Sequence, residues 1–187
     1  MIPTVIFQAS ALLVRHGFDT DSVVRALEYI GVGLEVDRVY IFEDVMVDGA
    51  RYTSQRYEWS SLRADPQIDN PALQEIPYSA IAPDWPEIFD AGGMVKGLVC
   101  ELPSPTREFL EAQSIRSILV CPILIDGACW GFVGLDDCHS DRLWPDVEVR
   151  ALQRFAHGLR GALNSQRSAE ALMAAAQILQ GLTDEGR

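Results

Sequence analysis

The feature that most restricts this chain is a pair of apolar runs, residues 115–125 and 128–136, separated by the dipeptide Asp126-Gly127. Asp-Gly tolerates the left-handed backbone of a two-residue turn, and the twist of that turn suits two antiparallel strands. The runs therefore read as the two arms of one hairpin, the strongest such signal in the chain. Their apolar content places them mid-sheet, with a helix stacked behind them. A parallel, helix-wrapped sheet is disfavoured, because parallel neighbours need a crossover of a dozen or more residues.

The remaining strands and helices follow from local pattern. Residues 38–43 are rich in β-branched and aromatic side chains, and Asp48-Gly49 is a second turn signal. Residues 52–59 then alternate, with Tyr57 and Trp59 on one face and Arg56 and Glu58 on the other, which predicts a second hairpin. Residues 60–83 are polar and hold Pro66, Pro71, Pro77 and Pro83, with one short helical turn after Asn70. Long connections of this kind inside a compact domain are often functional lids. A short helix over 85–91 ended by Gly92-Gly93, a short strand over 94–100 and a helix over 105–113 complete the middle of the chain.

Val5, Ala9, Leu12 and Leu13 recur at helical spacing and predict a first helix that stops near Gly17. Asp19 or Thr20 caps a second, whose stripe is Val23, Val24, Leu27 and Ile30, with Leu34 beyond a Gly31/Gly33 break. Pro145, Asp146 and Glu148 suit the first turn of a long final helix. It extends to about residue 182 and is about 55 Å long. Leu152, Phe155, Leu159 and Leu163 can lie on the sheet, but Leu172, Ala176 and Leu179 have no sheet left to cover. A partner helix from a second copy answers that need. Leu12, Leu13 and Leu159 are assigned to the same homodimer surface. The alternative is a frayed tail.

A chain of 187 residues is most simply one domain. Its formal charge of -12 opposes nucleic-acid backbones and anionic membranes. Cys100, Cys121, Cys129 and Cys138 show no CxxC pair or zinc spacing and read as a reduced intracellular set. The N-terminal run lacks a basic flank, and no apolar stretch reaches membrane-spanning length, so the expected location is cytoplasmic.

Several local sequences, taken in order, resemble the GAF domain. "LEVDRVYIFED" is similar to the first strand of that family, and "SIRSILVCPILIDGACWGFVGLDDC" to its central strand pair. "RLWPDVEVRALQRFAHGLRGAL" is similar to the helix that leaves the domain, while "TSQRYEW" and "IDNPALQEIPY" resemble the bacterial sensor-kinase subset. The resemblance implies an α+β fold with a central antiparallel sheet of five to six strands in the order 2-1-5-4-3. N- and C-terminal helices would lie on one face and a lid and small-molecule pocket on the other. It divides the chain into an N-terminal dimerisation helix (1–18), a sensor domain (19–163) and a C-terminal signalling extension (164–187). The function implied is a regulatory small-molecule-sensing input domain of a two-component signalling protein, non-enzymatic itself. The parent would be a histidine kinase or cyclic-dinucleotide enzyme.

Under that orientation Ile118, Val120, Phe132, Gly134 and Asp136 face the pocket, and Leu119, Cys121, Val133 and Leu135 face the helices. Tyr57, Trp59 and Trp85 either wall the pocket or fill core. Arg116 either meets an anionic ligand at the rim or pairs with an acidic neighbour. The Asn-Lys-Phe…Asp-Glu motif of cyclic-nucleotide-binding relatives is missing. Bilin-holding relatives place a Cys-His pair where Pro105 and Thr106 stand, and Cys138-His139 lies after the last strand, so a covalent bilin is disfavoured. One family of this fold is an enzyme, the free methionine-(R)-sulfoxide reductase; it places its key cysteine where Glu111 stands, and Cys100 is the nearest cysteine in the preceding lid region. It and a ligand-free dimerisation module are the rival readings. The run 136–141 gathers potential metal ligands, but neighbours on a strand point to opposite faces, so no metal site is assigned.

Overall fold

The computed structural model describes residues 2–184, with the side chains of residues 179 and 181–184 outside that description. The central hairpin forms as expected. Strands β5 (Ser117–Ile125) and β6 (Ala128–Asp137) pair antiparallel from Ser117↔Asp137 to Ile125↔Ala128. Asp126 and Gly127 both have positive φ, 52° and 83°, as a primed hairpin turn requires. Asp48 and Gly49 do the same, at 50° and 81°, between β1 (Arg38–Val47) and β2 (Ala50–Ser60).

β1 and β6 join the two hairpins into one six-stranded sheet of order β3-β2-β1-β6-β5-β4, where β3 is Ile76–Pro77 and β4 is Val95–Leu98. Without the two-residue β3 the order is the expected 2-1-5-4-3. β3 is illegible in the sequence because it holds a proline, tolerated only at an edge where no N–H is needed.

Helices α1 (Ile2–His16), α2 (Thr20–Leu34) and α6 (Asp146–Asp184) cover one face. Ile6, Ala9 and Leu13 of α1, Val23, Leu27 and Ile30 of α2, and Leu152, Phe155 and Leu159 of α6 bury against Val39, Ile41, Leu119, Cys121, Val133 and Leu135. Asp19 caps α2, its carboxylate accepting from the Ser22 N–H at 3.1 Å. The expected break at Gly31/Gly33 does not occur, and α2 runs through both. A Cβ on Gly31 would overlap the Trp59 ring and one on Gly33 would overlap Val5. These glycines permit close approach of α2 to β2 and α1 rather than ending the helix.

The opposite face is covered by residues 61–116, which carry the short helices α3 (Tyr78–Ile81), α4 (Trp85–Asp90) and α5 (Thr106–Glu111) and 3-10 turns at Pro71–Leu73 and Val99–Glu101. Tyr40, Phe42, Ile118, Val120 and Phe132 form a second core there with Leu73, Tyr78, Ile81, Trp85, Phe89 and Leu110. The period-2 alternation of β5 and β6 thus divides the residues between the faces as expected. From Ser165 to Ile178 the described α6 residues are exposed. No described helix is long and apolar enough to cross a membrane.

Candidate functional site

The sheet presents three cross-strand pairs in a row beneath the 61–116 segment. Arg38 lies opposite Asp136, Tyr40 opposite Gly134, and Phe42 opposite Phe132. At the apolar end Phe42 and Phe132 stack at 4.9 Å, and Trp85 meets Phe132 edge-on at 5.9 Å. In the middle, Gly134 leaves room for the Tyr40 ring, since a Cβ there would overlap it. Tyr40 lies over that gap and donates its hydroxyl to Asp136 Oδ1 at 2.8 Å. At the polar end Arg38 Nε lies 3.2 Å from Asp136 Oδ2, with both side chains 2% exposed.

These groups border a cavity of about 30 Å³, walled also by Gln55, Glu58, Leu73, Ile81 and Gln113. That is room for one or two waters. Arg38 anchors the lid across it, donating to the Gln113 carbonyl at 2.9 Å and to Cys138 Sγ at 3.3 Å. Nε is out of line for a hydrogen bond to Asp136 despite the short distance.

β2 contributes through a bulge. The register shifts so that Ile41 faces Tyr57 and Phe42 faces Gln55, leaving Arg56 as the extra residue. Gln55 and Glu58, three apart, therefore both reach the cavity. Glu58 Oε2 accepts the backbone N–H groups of Gln67 (2.7 Å) and Ile68 (2.9 Å). Glu58 Oε1 and Gln55 Oε1 are buried with no hydrogen-bond partner among the described residues.

Burial pushes the Asp136 carboxyl up to about 7, with Arg38 and the Tyr40 hydroxyl only partly offsetting it. Burial also drives the Tyr40 phenol well above its usual range, and the Asp136 charge adds to that. For Arg38, burial works against the charged form, but Asp136 and its neighbours outweigh it and the shift is upward.

Of the positions expected to line a pocket, Trp85, Phe132 and Asp136 do. Ile118 and Val120 share that face inside the aromatic core, and Gly134 sits under Tyr40. Tyr57 and Trp59 lie on the other face, and their assignment to the pocket is corrected: Tyr57 and Trp59 pair with Ile41 and Val39, which face the helices. Phe18 contacts Tyr57 edge-on at 5.5 Å. Arg116 is exposed and donates twice to Asp141, at 2.9 and 2.7 Å, outside the cavity. Arg38, Tyr40, Phe42, Gln55 and Glu58 escaped the sequence reading. Alternation along residues 38–42 would have found the first three.

The carboxylates after β6 are engaged by the protein itself. Asp137 accepts the N–H groups of His139 and Ser140, and buried Asp37 accepts from Cys138 N–H and pairs with Arg63 and His139. Among the described residues no cluster of three His, Cys, Asp or Glu is arranged to hold a metal. Burial raises the thiols of Cys121 and Cys129 to about 12 and that of Cys138 to about 11, against thiolate formation. Cys100 is exposed.

The GAF domain family model matches residues 5–163. The chain belongs to the GAF domain family. Over 170 residues it is 41% identical to the methanogenesis regulatory histidine kinase FilI of Methanothrix harundinacea (strain 6Ac), a match that covers 91% of this chain and 19% of that protein. This GAF domain is thus a sensor-type module similar to part of a regulatory kinase. Its fold is shared with the phycocyanobilin-bound GAF domain of a cyanobacterial phytochrome, at TM-score 0.70 and 18% identity over 87% of this chain and 93% of that one. A phycoerythrobilin-bound GAF domain from a cyanobacterial phytochrome matches at 0.67 and 20%, over 91% and 98%. In the arrangement described, the cavity is water-sized and walled by aromatic rings, and the N-terminal end of α5 carries Pro105 and Thr106, which offer no thiol for covalent attachment of a tetrapyrrole.

Proposed function

We propose that this GAF domain is a non-catalytic input module of a cytoplasmic signal-transduction protein, and that it senses a small molecule held non-covalently between the sheet and the 61–116 segment. The observation that carries the reading is the buried polar group Arg38–Asp136–Tyr40 beside a cavity in an otherwise aromatic core. A buried ion pair adds less stability than apolar side chains of the same volume. An apolar pocket with a few convergent polar groups is instead the usual form of a ligand site. Arg38 joins the sheet to the lid at Gln113, so an occupant that displaces the lid changes this contact directly. The kinase relationship supports an output carried along α6 into a larger protein.

The proposed homodimer uses a different stripe from the one expected. Leu13 and Leu159 are interior, 1% and 0% exposed, and cannot face a partner, while Leu12 is half-buried. Phe7 and Val14 of α1 are 73% and 82% exposed and, with Leu172, Met173 and Ala176 of α6, offer the apolar surface. Leu179 lies outside the described side chains.

The test is thermal unfolding with the deproteinised small-molecule extract of the source cells. The extract is expected to raise Tm for the natural chain and not for Ala82→Leu, which fills the cavity. Equal shifts, or none, would reject the reading.

A further inference from the structure

Apart from Arg38 Nε, which lies 3.2 Å from Asp136 Oδ2, the buried side-chain atoms bordering the cavity that lack a hydrogen bond among the described residues are acceptors. Tyr40 donates to Asp136 Oδ1, and Asp136 Oδ2 lies against Arg38. Arg38 Nη2 donates to the Gln113 carbonyl and Cys138 Sγ, and Nη1 to the Asp65 carbonyl at 3.5 Å. What is left on β2 is two acceptors, Glu58 Oε1 and Gln55 Oε1, both buried, with Gln55 only 3% exposed. Two carboxyl groups, Glu58 and Asp136, face a single guanidinium. Buried polar atoms are satisfied in folded proteins, by protein, water or ligand.

We infer that the ligand of this site enters with hydrogen-bond donors, as a compact ammonium- or amidinium-bearing molecule with an apolar body. This rests on the ligand-sensing reading above. A nitrogen carrying two or three N–H groups supplies the donors that these orphan oxygens lack. Phe42, Phe132 and Trp85 give the apolar body a wall, and aromatic faces attract a cation. The buried arginine does not make this an anion site. A carboxylate or phosphate here would set acceptors against Glu58 and Gln55, while Arg38 Nε already lies against Asp136 Oδ2 and the terminal nitrogens donate to Gln113, Cys138 and Asp65. Since the cavity is water-sized as described, binding moves the 61–116 segment outward.

The probes are isobutylamine and phenethylamine against isovalerate and 3-phenylpropionate, titrated calorimetrically into the whole chain. In parallel, the cation-exchange-retained and anion-exchange-retained fractions of the source-cell extract are assayed by thermal shift. The amines, or the cationic fraction, are expected to bind. Glu58→Gln keeps an oxygen for the Gln67 and Ile68 N–H groups but turns the free atom into a donor. It is expected to weaken cation binding at least about tenfold, the loss of one charge-assisted hydrogen bond. Gln55→Met leaves Glu58 in place and serves if Glu58→Gln does not fold. Binding of the carboxylates or of the anionic fraction alone overturns the ligand class and leaves ligand sensing intact. Binding of amines undiminished in both variants overturns the assignment to these two oxygens. No stabilisation by any probe or fraction, with only waters in the cavity of a crystal structure, removes both this inference and the sensor reading.

Discussion

Replacing Arg38 by Met tests whether the buried charge pair is arranged as described. Methionine fills most of the same space, so packing changes little. It leaves Asp136, 2% exposed, without its counter-ion, and the Gln113 carbonyl without its donor. Removing one partner of a buried pair costs about 3–5 kcal/mol. For a domain of this size that is a fall in Tm on the order of 10 °C. The cost depends on pH with a definite sign. The Asp136 carboxyl is raised from 3.8 in the unfolded chain to about 7. The folded state therefore holds this proton more tightly, and its contribution is complete below about pH 4 and lost as pH rises through 7. Without Arg38 the carboxyl rises further, so Arg38→Met is expected to lose more stability at about pH 8 than at about pH 5.5. Urea denaturation followed by circular dichroism at the two pH values reads both quantities. The double variant Arg38→Met/Asp136→Leu is expected to regain at least half of the loss, because it leaves no lone charge at the pair. A single variant within about 0.5 kcal/mol of the natural protein at both pH values would refute the buried pairing.

Four further outcomes follow. Gly31→Ala adds a methyl group into the Trp59 ring, so despite alanine's better helix propensity it is expected to destabilise by about 1–3 kcal/mol, read by urea midpoint. Gly134→Ala lifts the Tyr40 ring away from Asp136, and a near-ultraviolet dichroism spectrum unchanged from the natural chain would count against that overlap. Leu13→Ala is expected to cost about 2–5 kcal/mol, as a core truncation, without changing association. Val14→Glu, at an exposed position, is expected to change stability by about 0.5 kcal/mol or less yet to disrupt the proposed dimer in sedimentation equilibrium; a natural chain that sediments as a monomer at high micromolar concentration would dismiss that proposal.

Local signals were strong where one chemistry has one structural use. Asp126-Gly127 between two apolar runs encodes a hairpin almost by itself, and alternation along β5 and β6 then assigned each face correctly. The misreadings arose where the meaning of a residue depends on a distant partner. Gly31 looks like a helix breaker until the Trp59 ring is seen against it. Tyr57 and Trp59 are chemically suited to a pocket, but pairing with Ile41 and Val39 turns them to the helices. The bulge at Arg56, which brings Gln55 and Glu58 to the cavity, has no local signature in residues 52–59. A charged residue at a strand end usually faces water, whereas here Asp136 across the sheet keeps Arg38 buried. Leu13 and Leu159 show the same limit, since an apolar stripe does not say which of two surfaces covers it.

The most direct measurement is the mass of the freshly purified chain, sprayed first under non-denaturing and then under denaturing conditions. The expected result is an excess mass of one small molecule per chain in the first spectrum and none in the second, with the excess absent from Ala82→Leu. Identical masses under both conditions, for protein isolated from its own cells, would contradict a ligand-holding site beside Arg38 and Asp136.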